Sequence, residues 1–526
     1  MASGVEIAVG AWTSCIALMW YQSNPFNLAK LRTATIGLAL LSAAPVWSED
    51  SQIIRMSVSA LPAQVGNPYR YTGYPAQYIT TAIFDALTSM SADGTPEPAL
   101  ALSWERTSPL VWHFNLRPDV VFSNGKPLNA TAVVKAVEYV TSSQASVESI
   151  RVNLADLAGA RVIDDLTVEI TTKRPNLFFP RLMSELKIVE PSQWALGRDA
   201  FALNPVGTGP FEVTSFSANG IKLKAFRTAW RAPKAMGLEI QSIPDGVSRV
   251  QALLSGKTDI ALLLGPEDIE PVEAAGNRML IYPTGGVFVV GFITEQAKTA
   301  ARDVRVRQAL NYAVDKEAIV NGLLAGHSRP ASQVAPQVAF GFDGTIAPYP
   351  YDPARARKLL ADAGYSNGLV LLVEAVTGTV AGDAAILQKV AADLADVGVT
   401  MNIRTTTFQA YSRHYVQGDW EGDGFAILYA TDPYLDGLKP LQRHSCAWIK
   451  PWYCDRDVMS TFALALEADT VEERRVLTHQ VMRRYHDQAA AIFLAEVSGY
   501  AGLTPRVKDL EIVNTVLRLE QVWLKD

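Results

Sequence analysis

Between Asp303 and Ile319 the chain reads D-V-R-V-R-Q-A-L-N-Y-A-V-D-K-E-A-I. Val304, Ala309 and Ala313 recur four or five residues apart, with Val306, Leu310 and Val314 beside them, the spacing of one apolar stripe on a helix. Asp303 is placed to cap its start, while Arg305, Arg307, Lys316 and Glu317 fall where solvent would keep them. Other stretches repeat every second residue. Ile53 to Ala60 alternates as a strand, and so do Trp112, Phe114 and Leu116, then Val120 and Phe122. Asn124-Gly125 marks a tight turn, and Asn129 or Thr131 can cap a helix running through Tyr139. Arg161 to Thr171 reads as a strand pair ended by Arg174-Pro175. Gly285 to Thr294 is a buried strand, and Phe425 to Tyr429 a shorter one. Asp352 caps a helix with Pro353 in its first position and Leu359, Leu360 and Ala363 on its apolar face. Ala384 to Val397 and Val471 to Ala490 read as helices, and Val399 to Arg404 as a strand.

At 526 residues the chain exceeds one ordinary core, and two or three compact units are expected. A hydrophobic fraction of 49% with 19% charged residues describes a soluble globular protein. A net charge of −6 without a long basic run argues against a nucleic-acid partner. Residues 30–48 have the layout of a secretory signal. Lys30 and Arg32 precede the apolar stretch Thr33 to Ala44, and cleavage after Ser48 would place Val46 at the −3 position. That run is shorter than the ~20 residues of a membrane-spanning helix. A second apolar stretch, Ile7 to Tyr21, lies ahead of it, so Met19 is the expected start. The competing readings are an N-terminal anchor or lipidation at Cys15, with Trp12 a poor fit to the aliphatic position of a lipobox.

Export leaves Cys446 and Cys454 as the only cysteines, and an oxidising compartment makes a disulfide the default reading of a close pair. A metal site from His444, Cys446, Cys454 and Asp455 is the alternative, although its spacing lacks a C-x₂-C pattern. Three short motifs fail on inspection. Gly207-Thr208-Gly209 is followed by Pro210, which has no N–H for a phosphate cradle, so it reads as a strand-entry turn. Ser255 to Thr258 ends like a P-loop, but Gln251 stands where the first glycine belongs. Gly364-Tyr365-Ser366-Asn367-Gly368 fits G-x-S-x-G, yet a helix precedes it and a strand follows, the reverse of a serine-hydrolase elbow. The loop Pro62 to Tyr78 carries Tyr69, Tyr71, Tyr74 and Tyr78, which either cover apolar surface or line a pocket.

Several long strings, in order, closely resemble the family 5 extracellular solute-binding proteins, the peptide, opine and nickel receptors of bacterial ABC importers. They are Asp303 to Ile319, Ile79 to Thr88, Asp93 to Glu105, Trp112 to Val134, Asn204 to Val213, Tyr349 to Tyr365 and the tail from Thr504. The resemblance implies an α/β, two-lobed periplasmic binding protein fold (type II, in the large form with an extra subdomain in lobe one). It implies residues 1–48 as extension and signal peptide, 49–296 plus 495–526 as lobe one with the subdomain at about 90–205, and 297–494 as lobe two. A small solute, held between the lobes by hinge closure, would be passed to the transmembrane permease subunits by a monomeric, non-enzymatic receptor without cofactor or bound metal.

By the same resemblance Asp432, at the end of an apolar strand, supplies a carboxylate to the ligand's ammonium group. Tyr429 neighbours it, Tyr69 or Tyr71 borders the cleft, Thr208 lies in a turn near it, and Trp448 covers it from the Cys446–Cys454 loop, a disulfide loop in several dipeptide receptors. One departure stands out. The arginine that many dipeptide receptors use for the peptide carboxylate has no counterpart in Glu374 to Val380. A plain dipeptide is therefore disfavoured, and Glu374, Thr377 and Thr379 suit an opine, a sugar-phosphate conjugate or another cationic or polyhydroxylated solute. The competing readings are a nickel or metallophore receptor using His414 or His444, and, more remotely, a hydrolase using Ser366.

Overall fold

The computed structural model describes residues 52–525 apart from 63–65, 71–75, 218 and 296–298. The signal-peptide reading, the cleavage after Ser48, Cys15 and Tyr71 lie outside the described residues.

One ten-stranded sheet organises the chain. Across it run Val399–Thr405, Leu369–Ala375, Gly424–Ala430, Arg278–Phe292, Ala491–Leu503, Ile260–Ala261, Ile53–Val58, Gly237–Ser242, Gly220–Ala225 and Phe211–Ser217. The two longest strands join its halves. Arg278 to Pro283 pair with Ser498 to Leu503, the register then breaks, and Val287 to Gly291 pair with Ala491 to Glu496. Of the long strand Arg278–Phe292, Gly424–Ala430 meets the stretch Gly286 to Phe292, and of Ala491–Leu503, Ile260–Ala261 meets Gly502 and Leu503. Beyond the break, side chains of the long strand alternate between two cores. Val287 and Val289 enter one, and Phe288, Val290 and Phe292 the other. Both faces are covered, which is why this stretch is continuously apolar.

A separate four-stranded sheet, Ala101–Ser108, Val111–Leu116, Thr167–Thr172 and Leu157–Val162, carries the alternation seen in the sequence. Trp112 and Phe114 face its core, and His113 is held by Glu169 at 3.1 Å. The helix Ala130–Thr141 packs beside it, capped by Asn129 through Ala132 N–H. Among the described residues no helix is long and apolar enough to cross a membrane.

The helix read over Asp303 to Ile319 is shorter than expected. It spans Val304–Ala313 with Asp303 as its cap, and Asp315 caps a new turn through Ala318 N–H. Its Asp315 N–H is held by Asp393 at 3.0 Å, and this local satisfaction of the backbone breaks the helix. Two residues expected in solvent are buried. Arg307 donates to the carbonyls of Ala301, Arg302, Gln488 and Ala489, and Lys316 donates to Asn311 O at 2.7 Å. Both use their charge to satisfy main-chain oxygens. The helix Pro353–Asp362 is capped by Asp352, and the turn holding Ser366 connects it to the strand Leu369–Ala375, the topology opposite to a nucleophile elbow.

Candidate functional site

A cavity of about 1140 Å³ opens against the sheet, lined from both of its halves. One wall comes from the helix Ala76–Ile83 and the segments around Asp85, Ser89, Asn153, Glu185 and Arg231. The other comes from Ala426 to Pro433, Tyr411 to Val416 and Lys439 to Trp448. A third contribution is the tail from Glu511 to Gln521.

The first wall is built around a saturated carboxylate. Asp85 is 5% exposed and accepts from Arg231 Nε at 2.6 Å, Trp230 Nε1 at 2.8 Å and Thr208 Oγ1 at 2.8 Å. Arg231 also pairs with Glu520 at 2.8 Å and donates to Thr81 O at 2.7 Å. Thr208 itself is fully buried behind the wall, so its contact with the cavity is through Asp85. The flanking glycines explain the turn: a Cβ on Gly207 or Gly209 would meet Ile83 O or C at 2.1 and 2.5 Å.

Tyr69 is likewise buried and does not line this cavity. Its hydroxyl donates to Lys187 O at 2.8 Å, and its ring packs against Tyr139 and Trp194. What it supports does line the cavity. Lys187 donates to Ser184 O at 2.9 Å, and burial pushes its ammonium down to about 8. Glu185, two residues away, is 7% exposed, and burial pushes its carboxyl up.

On the second wall Asp432 follows the strand Gly424–Ala430 into the cavity lining. Thr431 donates to Gly285 O through both N–H and hydroxyl at 2.7 Å. Gly285 is required for that approach, because a Cβ there would lie 2.7 Å from Asp432 N. Asp432 is 8% exposed; burial raises its carboxyl, opposed by the charge of Lys439. The Lys439 ammonium donates to Asp432 O and stands 4.8 Å from the centre of the Tyr434 ring. Tyr429 is buried under this wall, its ring 4.2 Å from that of His444. His444 does line the cavity. Burial, with Arg443 beside it, holds the imidazole neutral; Nε2 meets Tyr415 Oη at 3.3 Å, and Nδ1 has no hydrogen-bond partner among the described residues.

Trp448 lines the cavity and donates to Tyr415 O at 3.1 Å from the loop closed by the Cys446–Cys454 disulfide. Bonding the two sulfurs to each other overturns the metal reading of these cysteines. Arg443 lies on the same wall beside the Tyr415 hydroxyl, and among the described residues no carboxylate pairs with it.

The segment Glu374 to Val380 serves differently from the expectation. Glu374 is fully buried and paired with Arg404 at 2.6 Å and His414 at 3.0 Å, away from the cavity. Thr379 reaches the lining but Thr377 does not. His414, bound to Glu374, is not brought to His444, and among the described residues no group of three potential metal ligands forms. Glu185, Lys187 and Arg443 were not picked out from the sequence. A signal existed for the first two: both alternate with the buried apolar residues Leu186 and Ile188, where a charge calls for a partner.

Residues 95–440 match the family described as bacterial extracellular solute-binding proteins, family 5 Middle. The chain is 28% identical over 449 residues to heme-binding protein A of Haemophilus influenzae, covering 78% of this chain and 81% of that one. It is 26% identical to the glutathione-binding protein GsiB of Pectobacterium atrosepticum, over 69% of this chain and 71% of that one. Its fold superposes with a TM-score of 0.78 on the periplasmic binding protein DppA of Helicobacter pylori in complex with the peptide STSA, at 21% identity, over 91% and 99% of the two chains. With a match over more than half its length and the two-sided cavity that such a fold encloses, the chain belongs to the family 5 bacterial extracellular solute-binding proteins.

Proposed function

We propose that this protein is the periplasmic receptor of an ABC importer, capturing an oligopeptide, opine or sugar-phosphate conjugate and delivering it to the membrane permease as a monomer. The observation that carries this reading is a cavity of about 1140 Å³ whose walls come from both halves of the sheet and bear charges of both signs. That volume lies just above the range of small-molecule sites, about 300–1000 Å³, and suits a solute larger than a single amino acid. Arg443, without an acidic partner among the described residues, would hold an anionic group, and Asp432 a cationic one.

Lobe one corresponds to 49–296 with 495–526 and lobe two to 297–494, with bending at the register break between Pro283 and Val287. Closure would exclude water and strengthen the polar contacts without making or breaking a bond. The names of similar proteins, which bind heme, glutathione and a peptide, support a small solute and leave its chemistry open. Export would use the signal ending near Ser48.

Native mass spectrometry of protein purified from periplasm without refolding tests the reading. A released peptide, opine or sugar phosphate is the expected result, and a protein that binds none of these in a subsequent thermal-shift screen would refute it. A metal complex is the second reading, favoured by the unpartnered Nδ1 of His444 in the cavity wall. It predicts that EDTA abolishes solute binding.

A further inference from the structure

Phe178 is buried without belonging to a core. Its neighbours Phe179 and Leu182 enter a large apolar cluster, whereas Phe178, 4% exposed, joins none of the apolar clusters among the described residues. What covers it comes from far along the chain. The Phe340 ring meets it edge-on at 4.6 Å, and the Arg474 guanidinium stands 4.3 Å from its centre. Arg181, three residues on, stands 4.0 Å from the same centre and 5.5 Å from that of Phe340, and donates to Tyr434 O at 3.4 Å. The receiving side is firmly built. Arg474 is 1% exposed and tied to Asp436 and to the carbonyls of Ala465 and Leu466, while Phe340 N–H donates to Leu435 O at 2.8 Å. A second contact lies beside the first. A Cβ on Gly94 would sit 3.2 Å from Leu435 Cβ and 3.3 Å from Arg181 Nη1, so the Gly94 turn lies directly on both. Leu435 is fully buried at a φ of 48°, a conformation that its surroundings must hold in place. None of Phe178, Arg181, Phe340, Leu435, Asp436 and Arg474 lines the cavity, although the loop carrying Leu435 and Asp436 begins at Asp432 and Pro433, which do.

We propose that Phe178 and Arg181 form a latch which, docked on Phe340, Tyr434 and Arg474, holds the two lobes together while the cavity contains no solute. The inference rests on the solute-receptor reading and its lobe division, which puts Phe178 and Arg181 in lobe one and their partners in lobe two. An edge-on ring pair and guanidinium groups over rings are favourable only at contact distance. Parting the lobes loses them together and returns Phe178 to water. The ion pair Arg106–Asp469 crosses the same boundary at 3.3 Å, but its Asp469 end is exposed and solvent weakens it. A contact outside the cavity favours the closed arrangement alike for every solute, so selectivity is left to the cavity lining. The two are joined by the loop from Asp432 to Asp436: a solute resting on its start steadies the seat that receives Arg181.

The test is small-angle X-ray scattering from the periplasm-exported protein, freed of solute by dialysis and checked empty by native mass spectrometry. The wild type should scatter as the compact arrangement described above. The double variant Phe178→Ala/Arg181→Met should show a larger radius of gyration while still melting in one cooperative transition. Phe340→Ala, which removes the other side of the same contact, should expand the molecule in the same direction. A role confined to local packing would lower the melting temperature and leave the radius of gyration at the wild-type value, which overturns the proposal. A wild type already as expanded as the variants overturns it too. Should the double variant fail to melt cooperatively, Arg181→Met alone, which removes the guanidinium and keeps most of its length, is read by the same criterion. No solute is added, so the scattering decides the latch by itself. A protein that expands as stated, yet binds nothing in the thermal-shift screen, would refute the receptor reading alone.

Discussion

Two buried acids line the same cavity and have opposite environments. Asp85 accepts hydrogen bonds from Arg231, Trp230 and Thr208, and its guanidinium partner is further tied to Glu520. Asp432 is hydrogen-bonded by Thr515 and has Lys439 nearby, but that ammonium donates to its main-chain oxygen, and among the described residues no cation forms an ion pair with its carboxylate. Burial alone therefore does not mark a ligand group. An acid tied to a guanidinium and two further donors braces the wall, whereas one without an ion pair is the proposed contact for the solute.

Removing the brace should have the largest effect. Asp85→Ala leaves the mostly buried Arg231 short of its partner and strips acceptors from Trp230 and Thr208. It should cost about 3–5 kcal/mol in chemical denaturation, with solute selectivity little changed in whatever folded protein remains. If Asp85→Ala instead melts like wild type, the distinction between the two acids collapses. Lys187 sharpens the comparison from the cationic side. Its ammonium is depressed from 10.5 to about 8 in the folded chain, so the unfolded chain binds more protons between those values. Stability should therefore rise with pH from 8 to 10.5, by up to ~3 kcal/mol relative to Lys187→Met, and urea melts of the two proteins across that range measure it.

Opening the Cys446–Cys454 loop by a double serine substitution removes a short-loop constraint, costing at most about 2.5 kcal/mol, read as a lower melting temperature. Asp432→Asn should give the smallest free-energy change, weakening an ammonium-bearing solute about tenfold, or ~1.4 kcal/mol, with folding intact in a titration by calorimetry. Unchanged affinity would move the cationic subsite away from Asp432.

Much of the architecture could be read from spacing. The strand from Ile53, the alternation around Trp112 and Phe114, the cap at Asp352 and the order of elements around Ser366 all follow local rules, because a local pattern meets local geometry there. The site was harder. Tyr69, Thr208 and Tyr429 stand one layer behind the wall, supporting Lys187, Asp85 and His444, which do line it. Depth of a single side chain depends on tertiary packing that periodicity does not encode. Glu374 suited a ligand until Arg404 and His414, 30 and 40 residues away, were found to occupy it. Arg307 went into the interior for the same kind of reason, since the distant carbonyls of Gln488 and Ala489 supplied its partners, whereas Lys316 found one in its own neighbourhood, Asn311 O.

The strand Ala491–Leu503 lies between Arg278–Phe292 and Ile260–Ala261, in the middle of the large sheet. A chain is synthesised from its N-terminus, so this central place stays unfilled until nearly the whole polypeptide has been made. Residues 53–292 can form their local turns and helices early, but their share of the sheet is completed only by the last segment to arrive. Contacts of such long sequence separation make folding slow. The placement of one late strand thus makes closure of the large sheet a late, non-local step of folding, deferred until the last segment of the chain arrives.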